Sequence, residues 1–225
     1  MIPLIELAGR YKLVYLDPCW DYYGDPDKPQ AAGKHYNTLP LDELMKLPVR
    51  QLLKGHGVVF MWVTGPKFAE GIDLLRTWGL HYRGVAYVWI KTAKDGHVIE
   101  GQGVRPSFVK QLDEYVIIGS TQPRGRTLPI LTESQGQNIF APRPGDEHSA
   151  KPEEARWRIE ELYGNIPRIE LFARCRYPGW DAWGLEADGP MASSLARSPK
   201  LVAKLAEREA YRDAMKVLAE LDESV

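Results

Sequence analysis

The sequence predicts an α/β protein in which helices pack against a mostly parallel β-sheet. Short apolar runs alternate along the chain with helical patterns, and this alternation is typical of a layered α/β structure. The 225 residues are 44% hydrophobic and 26% charged, a composition that suits one sizeable core. No stretch has the length and apolar character of a membrane span or a signal peptide, so we expect a soluble, cytoplasmic protein.

Five strands are predicted from short apolar runs rich in β-branched and aromatic residues. They cover residues 12–16, 58–63, 85–90, 115–118 and 169–173. The carboxyl ends of parallel strands share one edge of a sheet, and ligands of open α/β sheets bind at that edge. Functional side chains are therefore expected directly after these strands.

Three helices are predicted between the strands from the spacing of their apolar residues. Residues 41–53 form the first helix, which Pro48 interrupts, and residues 68–78 form the second. The third begins at Pro152, a residue suited to the first turn, and ends at Gly164. It leads directly into the last predicted strand.

Three long segments rich in glycine, proline and polar residues are predicted as loops, and long loops in a compact domain are commonly functional. They cover residues 21–39, 92–106 and 121–146. The main domain is expected over residues 1–186, followed by a linker at 187–198 and a C-terminal helix at 199–225. The alanine-rich face of that helix is expected to dock on its own domain or on another chain, either a second copy or a partner subunit.

The charge balance excludes a protein that binds nucleic acid mainly through bulk positive charge, because the formal net charge is -1. Any contact with nucleic acid is therefore expected to be local. The candidates are basic residues in or beside two predicted loops, where they would grip phosphate without reading sequence. They are Arg105, Lys110, Arg124, Arg126 and Arg143. As exposed charges, they are alternatively only solubilising.

Cysteine and histidine usage argues against a metal site. Cys19 and Cys175 are the two cysteines of the chain, too few for a disulfide framework or a four-cysteine zinc site. The five histidines occur singly, without the spacing of paired ligands on a helix. We therefore predict no bound metal.

The tetrapeptide Asp17-Pro18-Cys19-Trp20 directly follows the first predicted strand. Pro18 fixes the backbone so that its carbonyl has a definite direction, and the Asp17 carboxylate supplies a second acceptor. Two acceptors at one point suit an amine with two hydrogens, such as N6 of adenine, and the Trp20 indole offers a face for the purine. The alternative is a proline-stiffened turn with a helix-capping Asp17 and a core Trp20. A further interpretation, Cys19 as a nucleophile, lacks a matching histidine or aspartate arrangement.

Further motifs follow the tetrapeptide in a fixed order within residues 12–186. They are Tyr36-Asn37-Thr38, Leu41-Asp42-Glu43, Leu47-Pro48-Val49, Trp62-Val63-Thr64, Trp78-Gly79-Leu80, Trp89-Ile90-Lys91, His148-Ser149-Ala150-Lys151-Pro152-Glu153, Glu170-Leu171-Phe172-Ala173-Arg174 and Gly179-Trp180-Asp181-Ala182-Trp183-Gly184. The ordered set resembles the N6-adenine methyltransferase family of the mRNA adenosine methyltransferase catalytic-subunit type (MT-A type), in a bacterial or phage member. In that family the tetrapeptide is usually Asp-Pro-Pro-Trp, and Cys19 stands where the second proline is expected.

The resemblance implies a Rossmann-like fold of S-adenosylmethionine-dependent methyltransferases, with helices on both faces of a mostly parallel sheet. In this fold the catalytic motif would precede the main cofactor-binding strand. The implied reaction is methyl transfer from S-adenosylmethionine to the N6 amine of adenine, and we expect DNA as the substrate. RNA adenosine methylation remains open, since no residue visibly reads a 2′-hydroxyl. A non-catalytic nucleic-acid-binding subunit of a methyltransferase complex is a further alternative.

The expected site residues fall into three sets. The catalytic set is Asp17, Pro18, Cys19 and Trp20. The set expected to contact the target nucleotide is Tyr36, Trp62 and His148. The set expected to contact the cofactor is Asp17, Lys151, Glu170, Phe172, Arg174, Leu185 and Glu186. Within that set, the Lys151 ammonium would pair with the methionine carboxylate, and the Glu170 carboxylate would hold the ribose hydroxyls.

Two members of the cofactor set have other interpretations. Lys151 is alternatively a solvated charge just before a helix, and Phe172 is alternatively a core residue of its strand. The chain also departs from the mRNA enzymes after Arg174, where it reads Cys175-Arg176-Tyr177 instead of their histidine and asparagine. Leu185-Glu186 similarly replaces asparagine and glutamine. The contacts to the ribose and adenine of the cofactor are therefore the least determined part of the expected site.

Overall fold

The computed structural model describes residues 2–21, 38–100, 109, 111–144 and 150–188. Several predictions from the sequence lie outside these described residues. They concern Tyr36, His148, Arg105, Lys110, the linker beyond residue 188 and the helix at 199–225.

The described residues form a seven-stranded sheet with the strand order β5-β3-β4-β2-β1-β6-β7. The strands are β1 (Tyr11–Leu16), β2 (Leu53–Thr64), β3 (His81–Lys91), β4 (Glu114–Ser120), β5 (Asn138–Ala141), β6 (Arg168–Leu171) and β7 (Asp181–Trp183). Strand β4 is antiparallel to β2 and β3, and every other pairing is parallel. The mostly parallel sheet predicted from the alternation of strands and helices is confirmed.

The described helices are α1 (Leu41–Met45), α2 (Val49–Leu52), α3 (Phe68–Thr77) and α4 (Glu154–Tyr163). Pro48 divides the first predicted helix into α1 and α2, because proline has no N–H for the helical ladder. Helix α4 ends where Gly164 adopts a φ of 66°, a conformation that glycine accepts at little cost. Both boundary signals in the sequence are therefore confirmed.

The sheet carries helices on both faces, and the period of two in its strands separates two apolar clusters. On one face, Val14 and Leu16 of β1 belong to a cluster that includes Leu74 and Leu75 of α3. On the other face, alternate residues of β1 and β2 pack with α4. These are Leu13, Tyr15, Val58, Phe60 and Trp62, together with Ala155 and Ile159 of the helix. The predicted covering of both sheet faces by helices is confirmed.

Two short strands escaped prediction, and one predicted strand is shorter than expected. Strand β5 lies inside the predicted loop at 121–146, and β7 has three residues. Strand β6 ends at Leu171 instead of residue 173, because Phe172 turns to a φ of 59° that no strand accommodates. Among the described residues, no helix is long and apolar enough to cross a membrane.

The topology brings one end of all seven strands to one edge of the sheet. Strands β1, β2, β3, β5, β6 and β7 end there, whereas the antiparallel β4 begins there. Asp17 follows β1, Glu114 starts β4 and Phe172 follows β6. We call this edge the carboxyl edge of the sheet.

Candidate active site

Four charged side chains meet at the carboxyl edge, and we call them the edge cluster. They are Asp17, Lys91, Glu114 and Lys151. Lys151 Nζ lies 2.7 Å from Asp17 Oδ2 and 3.3 Å from Glu114 Oε2, and Lys91 Nζ lies 2.8 Å from Glu114 Oε1. The two ammonium groups and two carboxylates therefore alternate along the edge and balance in formal charge.

The Lys151 side chain is only 8% exposed, whereas that of Asp17 is 29% exposed. The alternative of a solvated lysine before a helix is therefore wrong. An ammonium group this buried needs charged partners, and Asp17 and Glu114 supply them. Lys151 therefore lies beside the Asp17 turn, and Asp17 keeps the greater access to solvent. The predicted contact of Lys151 with the donor stays a prediction.

The two carboxyl groups of the edge cluster shift in opposite directions. Burial raises the pKa of Asp17 above its ordinary value, while the Lys151 ammonium opposes that rise. Burial also acts to raise the pKa of Glu114, but the ammonium groups of Lys151 and Lys91 outweigh it and the pKa falls. Glu114 is therefore held as the permanent anion that anchors both lysines.

Trp62 forms the buried floor beneath Lys151. Its ring centroid lies 5.8 Å from Lys151 Nζ, and its indole Nε1 donates a hydrogen bond of 2.5 Å to the Tyr15 hydroxyl. The residue is 1% exposed. Trp62 thus lies at the predicted strand end, but its ring is buried. Its contact with the target base stays a prediction.

The Asp17-Pro18-Cys19-Trp20 turn is fixed by backbone hydrogen bonds. The Trp20 N–H donates to the Pro18 carbonyl at 2.8 Å, and the Leu39 N–H donates to the Cys19 carbonyl at 2.9 Å. A carbonyl oxygen has two lone pairs, so Pro18 retains acceptor capacity for a further donor. The turn is therefore ordered although Cys19 lacks the φ restraint of proline.

The Trp20 and Cys19 side chains differ from the expectations for a catalytic motif. Trp20 is 3% exposed within the apolar cluster of the α1 face, and its indole N–H has no hydrogen-bond partner among the described residues. Stacking of a base on Trp20 stays a prediction, and it would require this covered face to open. Burial raises the pKa of the Cys19 thiol, which disfavours the thiolate that a nucleophile requires.

The turn after β6 places Phe172 next to the end of β7. The Phe172 and Trp183 rings meet edge to face with centroids 5.8 Å apart, and the Ala173 N–H donates to the Trp183 carbonyl at 3.0 Å. A Cβ on Gly184 would lie 2.4 Å from the Ala173 carbonyl oxygen, so glycine is required at that close approach. Beyond it, the Leu185 side chain is 75% exposed at this edge, and its predicted cofactor contact stays a prediction.

Glu170 belongs to a second buried cluster on the α4 face, which we call the helix cluster. It consists of Glu153, Arg156, Glu170 and Tyr177. Arg156 Nε and Nη2 donate to the two Glu170 carboxylate oxygens at 2.7 and 2.6 Å. Both oxygens are therefore occupied within the protein. Each oxygen keeps a further acceptor site, although the Glu170 side chain is only 10% exposed. The predicted contact of Glu170 with ribose hydroxyls stays a prediction.

Glu114 and Arg156 are among the cluster residues that sequence reasoning did not assign to the site. Glu114 directly precedes the apolar run of a predicted strand, and a carboxylate there was the available signal. Its meaning depended on the antiparallel direction of β4, which brings the start of that strand to the carboxyl edge. Arg156 carried no signal, because a basic residue within a helix is ordinarily solvated.

The candidate nucleic-acid contacts lie at opposite edges of the sheet. Arg124 and Arg126 follow the end of β4, about 20 Å along the strand from the carboxyl edge. Arg126 also pairs with Glu133 at 2.5 Å. Arg143, by contrast, is exposed two residues beyond the end of β5, at the carboxyl edge. Among the described candidates, only Arg143 therefore lies on the same edge as Asp17.

The MT-A70 family matches residues 11–186. The chain belongs to this family. Among MT-A70 relatives, the type II methyltransferase M.MunI from Mycoplasma sp is 32% identical over 200 residues, which cover 79% of this chain and 78% of that protein. The catalytic subunit METTL3 of the N(6)-adenosine-methyltransferase from Homo sapiens is 28% identical over 188 residues, covering 82% of this chain but 30% of its own length.

A putative N(6)-adenosine-methyltransferase from Medicago truncatula is 26% identical over 188 residues and is likewise covered over 28% of its length. This MT-A70 chain thus spans most of the bacterial relative and less than a third of the two eukaryotic ones. The predicted family and the predicted class of enzyme, a methyltransferase, are confirmed. Within the described part of the chain, no group of three or more histidine, cysteine or acidic side chains could hold a metal ion.

Proposed function

We propose that this chain transfers a methyl group from S-adenosylmethionine to the N6 amine of adenine in DNA. The observation that carries the proposal is the Asp17-Pro18 turn at the carboxyl edge, with Asp17 ion-paired to Lys151. An aspartate and a proline carbonyl adjacent in the chain offer two acceptors to one amine. Family membership supports the same reaction.

The chemical difficulty lies in the amine, whose lone pair is delocalised into the purine ring. Asp17 and the Pro18 carbonyl can each accept one of its two hydrogens, because a carboxylate has about four acceptor sites and a carbonyl two. Holding both hydrogens favours a more tetrahedral nitrogen, which resembles the transition state of attack on the methyl group. As the N–C bond forms, the bond between that methyl carbon and the donor sulfur would break with its electron pair left on sulfur, and the Asp17 carboxylate would accept one proton from the nitrogen.

The residues at the carboxyl edge fit S-adenosylmethionine, which when bound supplies a methyl group on a positively charged sulfur. Lys151 offers a buried ammonium group to a carboxylate, and the exposed Leu185 offers an apolar surface to an adenine ring. Arg174, in the turn after β6, contributes a second positive charge that acts on Asp17. We propose that Lys151 exchanges its bond with Asp17 for the carboxylate of the donor.

DNA is proposed over RNA because a type II methyltransferase matches over most of both chains, whereas the N(6)-adenosine-methyltransferases match over less than a third of their own length.

The predicted methyltransferase domain at residues 1–186 remains part of this proposal. The end of the family match at residue 186 supports that boundary. Docking of the C-terminal helix on a second copy is also part of the proposal. It predicts a dimer, which the molecular mass of the full chain in solution would show.

The proposal is tested by transfer of tritiated methyl groups to single- and double-stranded DNA and RNA. Wild type is compared with Asp17→Asn, which keeps the shape of the side chain but weakens its acceptor. We expect label on adenine in DNA and a reduction of at least about 100-fold in the variant, as for other groups that stabilise transition states. Asp73→Asn, which alters a 58% exposed carboxylate on α3, is the matched control.

The outcomes separate the alternatives. Label on RNA alone would overturn the DNA substrate and leave adenine methylation standing. No label on any nucleic acid, with S-adenosylmethionine still raising the melting temperature, would contradict catalysis by this chain alone. No label and no stabilisation by the donor would favour the non-catalytic subunit.

A further inference from the structure

The helix cluster joins two chain segments that carry predicted donor contacts. Arg156 and Glu153 belong to the first turn of α4 and its N-cap, a few residues after Lys151. Glu170 lies on β6, two residues before Phe172, and Tyr177 follows the turn after that strand. The cluster is therefore the connection between the Lys151 segment and the turn after β6.

Arg156 is the centre of this connection and makes four contacts with the other three residues of the helix cluster. Besides the bidentate pair with Glu170, its Nη1 donates to Glu153 Oε2 at 2.8 Å. Its guanidinium lies 3.9 Å from the centroid of the Tyr177 ring, and the Tyr177 hydroxyl donates to Glu153 Oε1. Arg156 is 8% exposed. Burial acts to lower the pKa of Arg156, but Glu170 and Glu153 outweigh it and the pKa rises.

A second contact path runs from Arg156 to the edge cluster. The guanidinium lies 5.3 Å from the centroid of the Tyr15 ring, on β1. The Tyr15 hydroxyl accepts the indole N–H of Trp62, and Trp62 lies beneath Lys151. Two paths thus constrain the position of Lys151. One runs along its own chain segment to Arg156, and the other runs through Trp62 and Tyr15.

We propose that Arg156 is a positioning residue for the methyl donor. By clamping the Lys151 segment to the turn after β6, it fixes the distance between the group for the donor carboxylate and the residues Phe172 and Arg174. This inference rests on the proposed function. Phe172 needs such support, because a non-glycine residue at a φ of 59° persists only where its surroundings hold it. The Tyr177 ring covers the guanidinium of Arg156.

The inference predicts a change in donor affinity that general destabilisation would not produce. Arg168 supplies a matched control, because it is 3% exposed on the same strand as Glu170 and its guanidinium lies 5.0 Å from the Trp180 ring centroid. It donates to the carbonyls of Gly179 and Gly164 at 2.8 and 2.6 Å, and it starts β6, at the edge opposite the donor residues. Arg156→Met and Arg168→Met thus remove similarly buried guanidinium groups at opposite ends of β6.

The experiment measures the Kd of S-adenosylmethionine for the full chain by calorimetry, at a temperature where circular dichroism shows both variants folded. We expect Arg156→Met to raise the Kd at least tenfold and Arg168→Met to change it less than twofold. At saturating donor, the kcat of Arg156→Met should stay within about threefold of wild type, since Asp17 and Pro18 are untouched. Hydrogen exchange without donor should accelerate at residues 150–153 and 171–177 in Arg156→Met alone.

Two milder variants keep the test decisive if Arg156→Met fails to fold. Tyr177→Phe removes only the hydroxyl that donates to Glu153 and should raise the Kd two- to threefold. Arg156→Lys keeps the charge but lacks the fork that binds both Glu170 oxygens, so its Kd should lie between wild type and Arg156→Met. Equal Kd values in the Arg156 and Arg168 variants would overturn the positioning role. Absence of donor binding in wild type would overturn the proposed function and this inference together.

Discussion

The edge cluster and the helix cluster are built from the same kinds of charge but differ in their cations. The edge cluster holds its carboxylates with lysines, and its Asp17 side chain is 29% exposed. The helix cluster uses Arg156, whose fork meets Glu170 in two parallel hydrogen bonds. A lysine is a point charge on a flexible stem, whereas the arginine fork fixes direction as well as distance. Lysine contacts therefore lie at the carboxyl edge, whereas the bidentate arginine contact lies in the helix cluster on the α4 face.

The two clusters fit the proposed function in different ways. In that proposal Lys151 changes partners when the donor binds, and in the structure it bridges Asp17 and Glu114. The bidentate pair of Arg156 with Glu170 holds α4 to β6, the strand that precedes Phe172.

The largest expected effect is a loss of stability when Arg156, the cation of the helix cluster, is removed. Arg156→Met leaves Glu153 and Glu170 without their common partner in a buried site, so the free energy of unfolding should fall by about 3–5 kcal/mol. Chemical denaturation at pH 7 measures it. A decrease below about 1 kcal/mol would mean that water replaces the guanidinium, and it would remove the distinction between the two clusters.

A smaller decrease in the free energy of unfolding is expected when Lys151, a cation of the edge cluster, is removed. Lys151→Met should lower the free energy of unfolding by about 2 kcal/mol, because Asp17 is partly hydrated and Glu114 keeps Lys91 as a partner. The same variant should show a stronger effect on donor affinity than on stability. Denaturation and calorimetry on one preparation test both statements, with Lys46→Met, on a 64% exposed lysine, as the control. A stability decrease equal to that of Arg156→Met would contradict the comparison.

The pH dependence of stability should report Glu114. Because the pKa of Glu114 is lowered in the folded chain, its contribution is present above the ordinary value of 4.5 and disappears as the pH falls below it. Asp17 acts with the opposite sign, since its raised pKa favours the folded state in acid. Glu114→Gln should therefore flatten the decline of the unfolding free energy below pH 4.5.

This effect should be smaller than those of the two cation variants, because Gln keeps the shape of the side chain and one acceptor oxygen for one of the two lysines. Thermal unfolding between pH 3 and pH 7, at roughly the range where carboxyl groups titrate, measures it. Glu133→Gln, on a 72% exposed side chain, should follow wild type. An unchanged acid profile in Glu114→Gln would show that the lysines do not hold this carboxylate as an anion.

The sequence predicted the frame of the molecule because its signals were local. Apolar runs located β1 to β4 and β6, and Pro48 and Gly164 located helix ends. Strand β7 was too short to leave a pattern. The motif after β1 located Asp17, since a polar turn behind a buried strand marks the carboxyl edge.

The rest of the site depended on contacts between distant residues, which one sequence does not reveal. Glu114 joined the edge cluster through the antiparallel direction of β4, which no residue in that strand indicates. Glu170 was predicted to face a ligand because an unpaired buried carboxylate is costly. The charge partner that the structure shows is Arg156, fourteen residues earlier in the chain, and the contact of Glu170 with a ligand stays a prediction.

The smallest predicted effect concerns nucleic acid and uses the two edges of the sheet as its own control. Arg143 is exposed at the carboxyl edge, and Arg124 is exposed beyond the end of β4 at the other edge. Removing one arginine that binds a DNA phosphate should lower the slope of log affinity against log salt by about 0.9. We expect that change in Arg143→Gln and none in Arg124→Gln, measured by fluorescence anisotropy with a duplex at several salt concentrations.

The two variants remove the same charge, so any difference between them reports position alone. Equal reductions would mean that the chain attracts DNA through its overall field, which its net charge of -1 argues against. A reduction in Arg124→Gln alone would place the duplex at the edge opposite Asp17 and would contradict the assignment of the carboxyl edge as the active site. A smaller salt slope in Arg143→Gln alone would place phosphate binding at the same edge of the sheet as Asp17 and Lys151.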